Sequence, residues 1–300
     1  MKIQFLNGGL ANQAFQYIFA RYYELSHPGE IMYMDDSYFA INKVHNGYEL
    51  EKVFGIKPHM LSECFDDDVW SEFLEQKRNG KSIPEIMNEF GADIYMISEV
   101  SNFEHFNPFT GKVLYIKSDS DDGNMYFPEL QEETGNIYYH GYWINKGWFN
   151  RFKEQFLKEF SFTEIEDETN RKYMRDIRNS NSLSIHIRRG DFTNLGIDLK
   201  VEYYKEKVLK TILETGNDWV VYVFSDDIEW CKRNSKAMCL DLFKDIIFVD
   251  CNSGINSYRD LELMSNCKGM IVSNSSFAYL AALLNTRKEY VISDIKNRQI

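Results

Sequence analysis

An α/β fold with a doubly wound parallel sheet is what this sequence predicts, and three observations carry the prediction. From Leu183 onward short apolar runs alternate with segments of helical periodicity, the pattern of strands joined by crossover helices. At the N-terminus a strand-like run, a glycine loop and an amphipathic helix follow one another within residues 1–29. The chain has 300 residues, enough for two domains with a core each.

Composition narrows the function. Hydrophobic residues are 44% and charged residues 27%, as in a globular chain. The 19 tyrosines and 22 phenylalanines are expected mostly in the core, although aromatic rings at a surface can stack on sugars. A net charge of −12 argues against a nucleic-acid binder, which shows a basic face. The five cysteines are Cys64, Cys231, Cys239, Cys251 and Cys267. They are odd in number, lack CxxC spacing, and read as free thiols of a reducing compartment. Residues 1–8 do not resemble a signal peptide, and no run reaches the length of a membrane span. The expectation is a cytoplasmic protein without a membrane span.

In the first half, Ile3 and Phe5 alternate with Lys2 and Gln4, a first strand. Asn7-Gly8-Gly9-Leu10-Ala11-Asn12 forms the loop after it. A helix is expected from near Asn12, with Ala14, Phe15, Ile18, Phe19, Tyr22 and Leu25 on one face. Pro28-Gly29 ends it. The loop is neither GxGxxG nor a Walker loop. Its paired glycines allow a sharp turn or a close approach of backbone. Residues 31–34 make a second strand, followed by Asp35 and Asp36. Residues 60–77 and 83–90 have helical character. The acidic clusters at 66–68 and 119–122 read as solvated loops or helix starts, because a hard cation needs several converging oxygens. An aromatic strand over 137–143 precedes helices over 146–160 and 164–178. Asn179-Ser180-Asn181-Ser182 is polar and turn-forming, which sets the expected domains at 1–180 and 181–300.

In the second half, strands are expected over 183–187, 219–224, 246–249, 269–272 and 290–292. Helices fall over 202–214, from Ile228, over 259–266 and over 277–284. Three loops at strand ends carry chemistry. The first is His186-Ile187-Arg188-Arg189-Gly190-Asp191. Two adjacent guanidiniums repel unless an anion lies between them, and the planar fork of arginine fits phosphate. Pairing of an arginine with Asp191 is the plain alternative. The second, Ser225-Asp226-Asp227, offers carboxylates to ribose hydroxyls or a guanine edge. Either aspartate also caps a helix well, so one is expected to cap and the other to be free for a ligand. The third, Ser273-Asn274-Ser275-Ser276, puts small polar residues at a helix start, where backbone N–H groups and the helix dipole favour phosphate or simple capping. Ligands of such sheets lie beyond the carboxyl ends of the strands. Together the three loops describe a pocket for a nucleotide diphosphate, its charge met by arginines and a helix start.

These residues also carry a resemblance. His186-Ile187-Arg188-Arg189-Gly190-Asp191 resembles the HxRRxD motif of fucosyltransferases that use GDP-fucose. Phe224 to Trp230, Asp260 to Lys268 and Asn274 to Phe277 resemble further motifs of glycosyltransferase family 11, the α-1,2-fucosyltransferases. Gly8 to Tyr17 and Gly141-Tyr142-Trp143 are similar to its N-terminal signature and a further segment. The matches run in order from residue 8 to about residue 285. Ala11 departs from the family's usual glycine, and Tyr279-Leu280 from its usual tryptophan pair.

The resemblance implies two Rossmann-like domains in a GT-B-like arrangement. It also implies a donor site in the C-terminal half, inversion at fucose C1, and neither metal nor cofactor. The expected activity is transfer of L-fucose from GDP-fucose to a saccharide hydroxyl, O2 of a galactoside first. Another linkage, or a sugar-nucleotide-binding protein without catalysis, is the alternative. Arg188 is expected to stabilise the departing GDP, with Arg189, His186, Asp226, Asn274, Ser275 and Ser276 around the donor. Gly8, Gly9, Asn12 and Gln13 are expected to line the donor from the other domain. Asp191 is the first candidate for the general base and Asp36 the second. The expected partners are GDP-fucose and an oligosaccharide or glycan acceptor, with no nucleic acid.

Overall fold

A computed structural model of the chain describes residues 1–100, 113–117 and 128–293. The acidic run at 119–122 lies outside the described residues. The chain folds as two compact units, Met1–Ser161 and Phe162–Ile300.

The first unit is built on five parallel strands, β1 (Lys2–Phe5), β2 (Met32–Asp35), β3 (Ile94–Val100), β4 (Val113–Lys117) and β5 (Asn136–His140). Their order is β2-β1-β5-β3-β4. The helix Leu10–Ser26 returns from β1 to β2 and begins two residues before its expected start near Asn12. Gly8 makes the turn into it possible at φ +78°, a conformation that costs glycine little. The expected apolar face is buried at Ala14, Phe15, Ile18, Phe19 and Tyr22. Phe19 stacks on Trp143 with ring centroids 4.5 Å apart. The other sheet face packs Phe5, Met96 and Tyr138 against Phe73, Ile83 and Ile86.

The helical character of 60–77 resolves into a short 3₁₀ turn, Leu61–Cys64, and a helix, Asp67–Arg78. Asp66 stands at the helix N-cap position, with Asp67 and Asp68 in the first turn, where carboxylates complement the positive end of the dipole. The strand expected over 137–143 stops at His140. Trp143 turns away at φ +53°. Its indole Nε1 donates to Gln4 Oε1 at 2.7 Å, and Glu99 accepts the N–H groups of Tyr142 and Trp143. The segment 146–160 is two helices, Lys146–Arg151 and Lys153–Glu159.

The expected boundary at 180 is corrected to 161. The helix Glu168–Asn179 buries Met174 and Ile177, and Arg178 and Asn170 bond to Asn266 and Asn252 of the second unit. The polar run at 179–182 lies inside that unit, joining the end of this helix to the buried strand that begins at Ser182.

The second sheet comprises β6 (Ser182–Ile187), β7 (Val220–Ser225), β8 (Asp245–Val249), β9 (Gly269–Ile271) and β10 (Tyr290–Ile292), all parallel. Its order is β10-β9-β6-β7-β8. All six residues of β6 are buried, because helices cover both faces of a parallel sheet. Its alternation is therefore polar against apolar within the core. From β6 the chain proceeds to β7 and β8 on one side, whereas β9 and β10 lie on the other. The crevice of a doubly wound sheet opens at such a switch point, here between the carboxyl ends of β6 and β9.

Candidate functional site

The residues after β6 converge on this switch point. His186 is buried at the end of β6, and its Nδ1 shares a 2.7 Å hydrogen bond with Ser273 Oγ after β9. Burial, with Arg188 nearby, pushes its pKa down to about 3. The imidazole is thus a neutral tie between two strand ends.

Arg188 is one-third exposed and contacts two carboxylates. One terminal nitrogen lies 2.7 Å from Asp191 Oδ1 and the other 2.9 Å from Asp226 Oδ2. Asp191 is half open to solvent, at 51%. The pairing with Asp191 expected as an alternative is therefore present, on an arginine still accessible to a ligand. Arg189 points elsewhere. Its guanidinium lies 4.1 Å from the Trp230 ring centroid, with Asp227 at 3.3 Å and Asp198 at 3.2 Å. Asp198 is 3% exposed, and its bond from Lys200 at 2.7 Å is the first cause holding its carboxyl below the usual range.

Asp227 is the capping aspartate, accepting the Trp230 N–H at 3.0 Å at the head of the helix Ile228–Asn234. Asp226 is not the free carboxylate expected. Its Oδ1 accepts the Arg189 N–H at 2.8 Å and its Oδ2 the Arg188 guanidinium. A Cβ on Gly190 would lie 2.5 Å from that Oδ2, so glycine is required for Asp226 to reach the arginine loop. On the β9 side, Asn274 Nδ2 donates to Ile197 O at 2.8 Å. Ser275 caps the helix Ser276–Leu284 through Phe277 N–H. Tyr279 and Leu280, at the departures from the family pattern, are buried.

In the first unit, Gln13 is an internal brace. It is 0% exposed and donates to Gly8 O and Gly47 O while accepting the Glu49 N–H. All three of these bonds are internal to the first unit. Gly8, Gly9 and Asn12 form the loop and helix start beyond β1. Asp36 accepts both Ser62 N–H and Ser62 Oγ–H, and burial raises its pKa.

The model of Glycosyl transferase family 11 matches residues 101–298. The chain belongs to glycosyl transferase family 11. The chain is similar to an alpha-1,2-colitosyltransferase of Escherichia coli, 28% identical over 93% of this chain and 86% of its own length. A galactoside 2-alpha-L-fucosyltransferase SEC1 of Bos taurus is 23% identical over 48% of this chain and 41% of its own. Among solved structures, the NodZ alpha-1,6-fucosyltransferase soaked with GDP-fucose aligns over 100% of this chain and 97% of its own. Its identity is 13% and its TM-score 0.51. The fold of this family 11 member is GT-B-like, with two parallel α/β units.

Sequence reasoning missed Trp230 and Asp198 as the partners of Arg189. Trp230 had a local signal, three residues after the capping Asp227. Asp198 had none, because its contact with Arg189 is made through a loop.

Proposed function

We propose that this family 11 glycosyltransferase is a galactoside α-1,2-fucosyltransferase, moving L-fucose from GDP-fucose to O2 of a galactose-bearing saccharide with inversion at C1. The observation that supports it is Arg188 after β6, one-third exposed and held between Asp191 and Asp226, in the sheet whose β9 leads into the helix Ser276–Leu284. A diphosphate there meets a bidentate guanidinium on one side and the N–H groups of the helix Ser276–Leu284 on the other. The second unit is read as the donor side and the first as the acceptor side.

The acceptor oxygen attacks C1 as the bond from C1 to the β-phosphate oxygen breaks, and GDP leaves with the electron pair. Arg188 stabilises charge as it develops on that oxygen, an interaction stronger in the transition state than in the ground state. Binding of the diphosphate draws Arg188 from one of its two carboxylates and releases Asp191, which then takes the acceptor proton. Asp36 is the second candidate for that role. Arg189, locked by Asp198, Asp227 and Trp230, holds the loop. His186, Asp226, Asn274, Ser275 and Ser276 shape the donor pocket around it.

One observation favours a second reading of the donor. The relative aligned over 93% of this chain is named for colitose, a sugar equivalent to fucose without its 3-hydroxyl. A site built to hydrogen-bond that hydroxyl rejects the analogue strongly, whereas one that does not accepts both.

Purified protein with GDP-fucose or GDP-colitose and a panel of galactosides tests the reading, with linkage read by NMR. Excess EDTA is included, since arginines and a helix start offset the diphosphate charge without a metal. The expected product carries an α-1,2 fucosyl bond. No transfer, another linkage, or activity requiring added Mn²⁺ or Mg²⁺ each overturns the corresponding part.

A further inference from the structure

The first sheet has a switch point of its own. From β1 the chain crosses to β2 on one side, whereas β5, β3 and β4 lie on the other. A ligand crevice is therefore expected between the carboxyl ends of β1 and β5. Asn7 stands there, shortly after β1 ends at Phe5, and Gly141 directly follows β5.

Gln16 ties these two loops together. It is buried, at 0% exposure. Its Nε2 donates to Asn7 Oδ1 at 2.7 Å and to Gly141 O at 3.3 Å, and its Oε1 accepts the Asn7 N–H at 3.1 Å. Gly141 O also accepts Gln4 Nε2 at 3.0 Å, and Glu99 holds the N–H groups of Tyr142 and Trp143 that follow.

These bonds fix the orientation of both amides. Turning Gln16 over would set its oxygen against two carbonyl oxygens, those of the Asn7 side chain and of Gly141. Turning Asn7 over would set its NH2 against that of Gln16. Asn7 Nδ2 is therefore directed away from Gln16. Asn7 is partly exposed, and among the described residues nothing accepts from its Nδ2. An oriented NH2 donor thus stands at the switch point without a protein acceptor. Its complement is an oxygen that accepts, and a neutral amide suits an uncharged one such as a hydroxyl. Because the amide is immobilised before any ligand arrives, little side-chain freedom is lost on binding.

We propose that Asn7 reads the acceptor sugar, donating from Nδ2 to a ring hydroxyl other than the O2 that attacks, with Gln16 as its positioning residue. The proposal rests on the reading of the first unit as the acceptor side.

In protein labelled with nitrogen-15 at asparagine, the Asn7 side-chain amide gives a pair of NMR signals. Asn7→Asp, which keeps an oxygen for Gln16 Nε2, assigns the pair by its loss. Methyl β-galactoside should move the pair in the parent protein, and GDP alone should not. Among the 3-, 4- and 6-deoxy galactosides, one should bind the parent about tenfold more weakly than the full sugar, because its loss leaves a donor unpaired. Asn7→Ala should bind the full sugar about tenfold more weakly and that deoxy sugar no more weakly still, since removing both partners of one contact costs no more than removing either. A pair unmoved by the galactoside, a pair moved equally by GDP, deoxy sugars that all bind the parent as the full sugar does, or a deoxy penalty that persists in Asn7→Ala each overturns the proposal. The first three readings use the parent alone. Transfer from GDP-fucose by the same sample tests the reaction separately. A moved Asn7 pair without transfer supports the sugar site and counts against the reaction, whereas transfer with an unmoved pair does the reverse.

Discussion

Arg188 meets two carboxylates before any ligand arrives, so its substitution separates binding from folding. Lysine keeps the charge and loses the planar fork. Arg188→Lys should lower turnover roughly 100-fold, as loss of one preorganised donor at a developing charge does. Arg188→Ala should lower it further and weaken GDP binding, by about 1.5–3 kcal/mol for a hydrogen bond to a charged group. Both variants should keep their melting temperature within a few degrees, because the side chain is one-third exposed. A folded Arg188→Ala protein with near-normal turnover would contradict the donor site. Asp260 shows the opposite dependence on burial. Buried, with Asn252 Nδ2 at 2.8 Å as its hydrogen-bond donor, its carboxyl is pushed up to about 7 from 3.8. Within that window the folded protein holds a proton that the unfolded chain has lost. Stability contributed at Asp260 therefore falls as pH rises from 3.8 to about 7. Asp260→Asn should remove this fall, giving a flatter profile of denaturant midpoint against pH than the parent. A profile as steep as the parent's would show that Asp260 is ionised in the fold.

At the scale of elements, the loop after β1 is positioned from within its own unit. Gln13 ties Gly8 to Gly47 and Glu49. Gln13→Leu leaves three backbone groups to find other partners and should cost about 1–3 kcal/mol for each that stays buried and unsatisfied. Thermal unfolding should report that loss while GDP affinity, which the proposed function assigns to the second unit, stays unchanged. A stable Gln13→Leu protein with impaired GDP binding would instead make Gln13 a ligand contact. Elements themselves are legible where their period is local. The helix Leu10–Ser26 and the strands β6 to β10 follow from apolar spacing within a few residues. β3 is not legible in this way, because Ile94-Tyr95-Met96-Ile97 lacks the alternation of a half-buried strand, and its buried central position supplies the reason. Phe152 divides one expected helix into two at φ −127°, a break that no glycine or proline announces.

For the whole molecule, the donor reading assigns GDP to one of two compact units. Hydrogen exchange with and without GDP should show added protection concentrated between residues 182 and 293, around the ends of β6, β7 and β9. Protection confined to residues 1–100 would reverse the assignment. The chain is net acidic at −12, and among the described residues no group of three or more His, Cys, Asp or Glu is placed to hold a metal ion. The proposed reading assigns the diphosphate charge to Arg188 and the helix start. Among the described residues, no helix is long and apolar enough to cross a membrane.

The sequence alone determined the alternation of strands and helices, the loops at strand ends and the family motifs, because each is written in residues adjacent in the chain. It also showed that Arg188 and Arg189 share a strand end. The tertiary structure decided which arginine is available. Arg189 is closed off by Asp198, Asp227 and Trp230, whereas Arg188 keeps an exposed edge beside Asp191 and Asp226. Tertiary packing also moved the unit boundary to residue 161 and turned Gln13 inward. The physical reason is common to all three. Burial and pairing are set by neighbours brought together through strand order and crossover helices, and no local period or spacing records who those neighbours are.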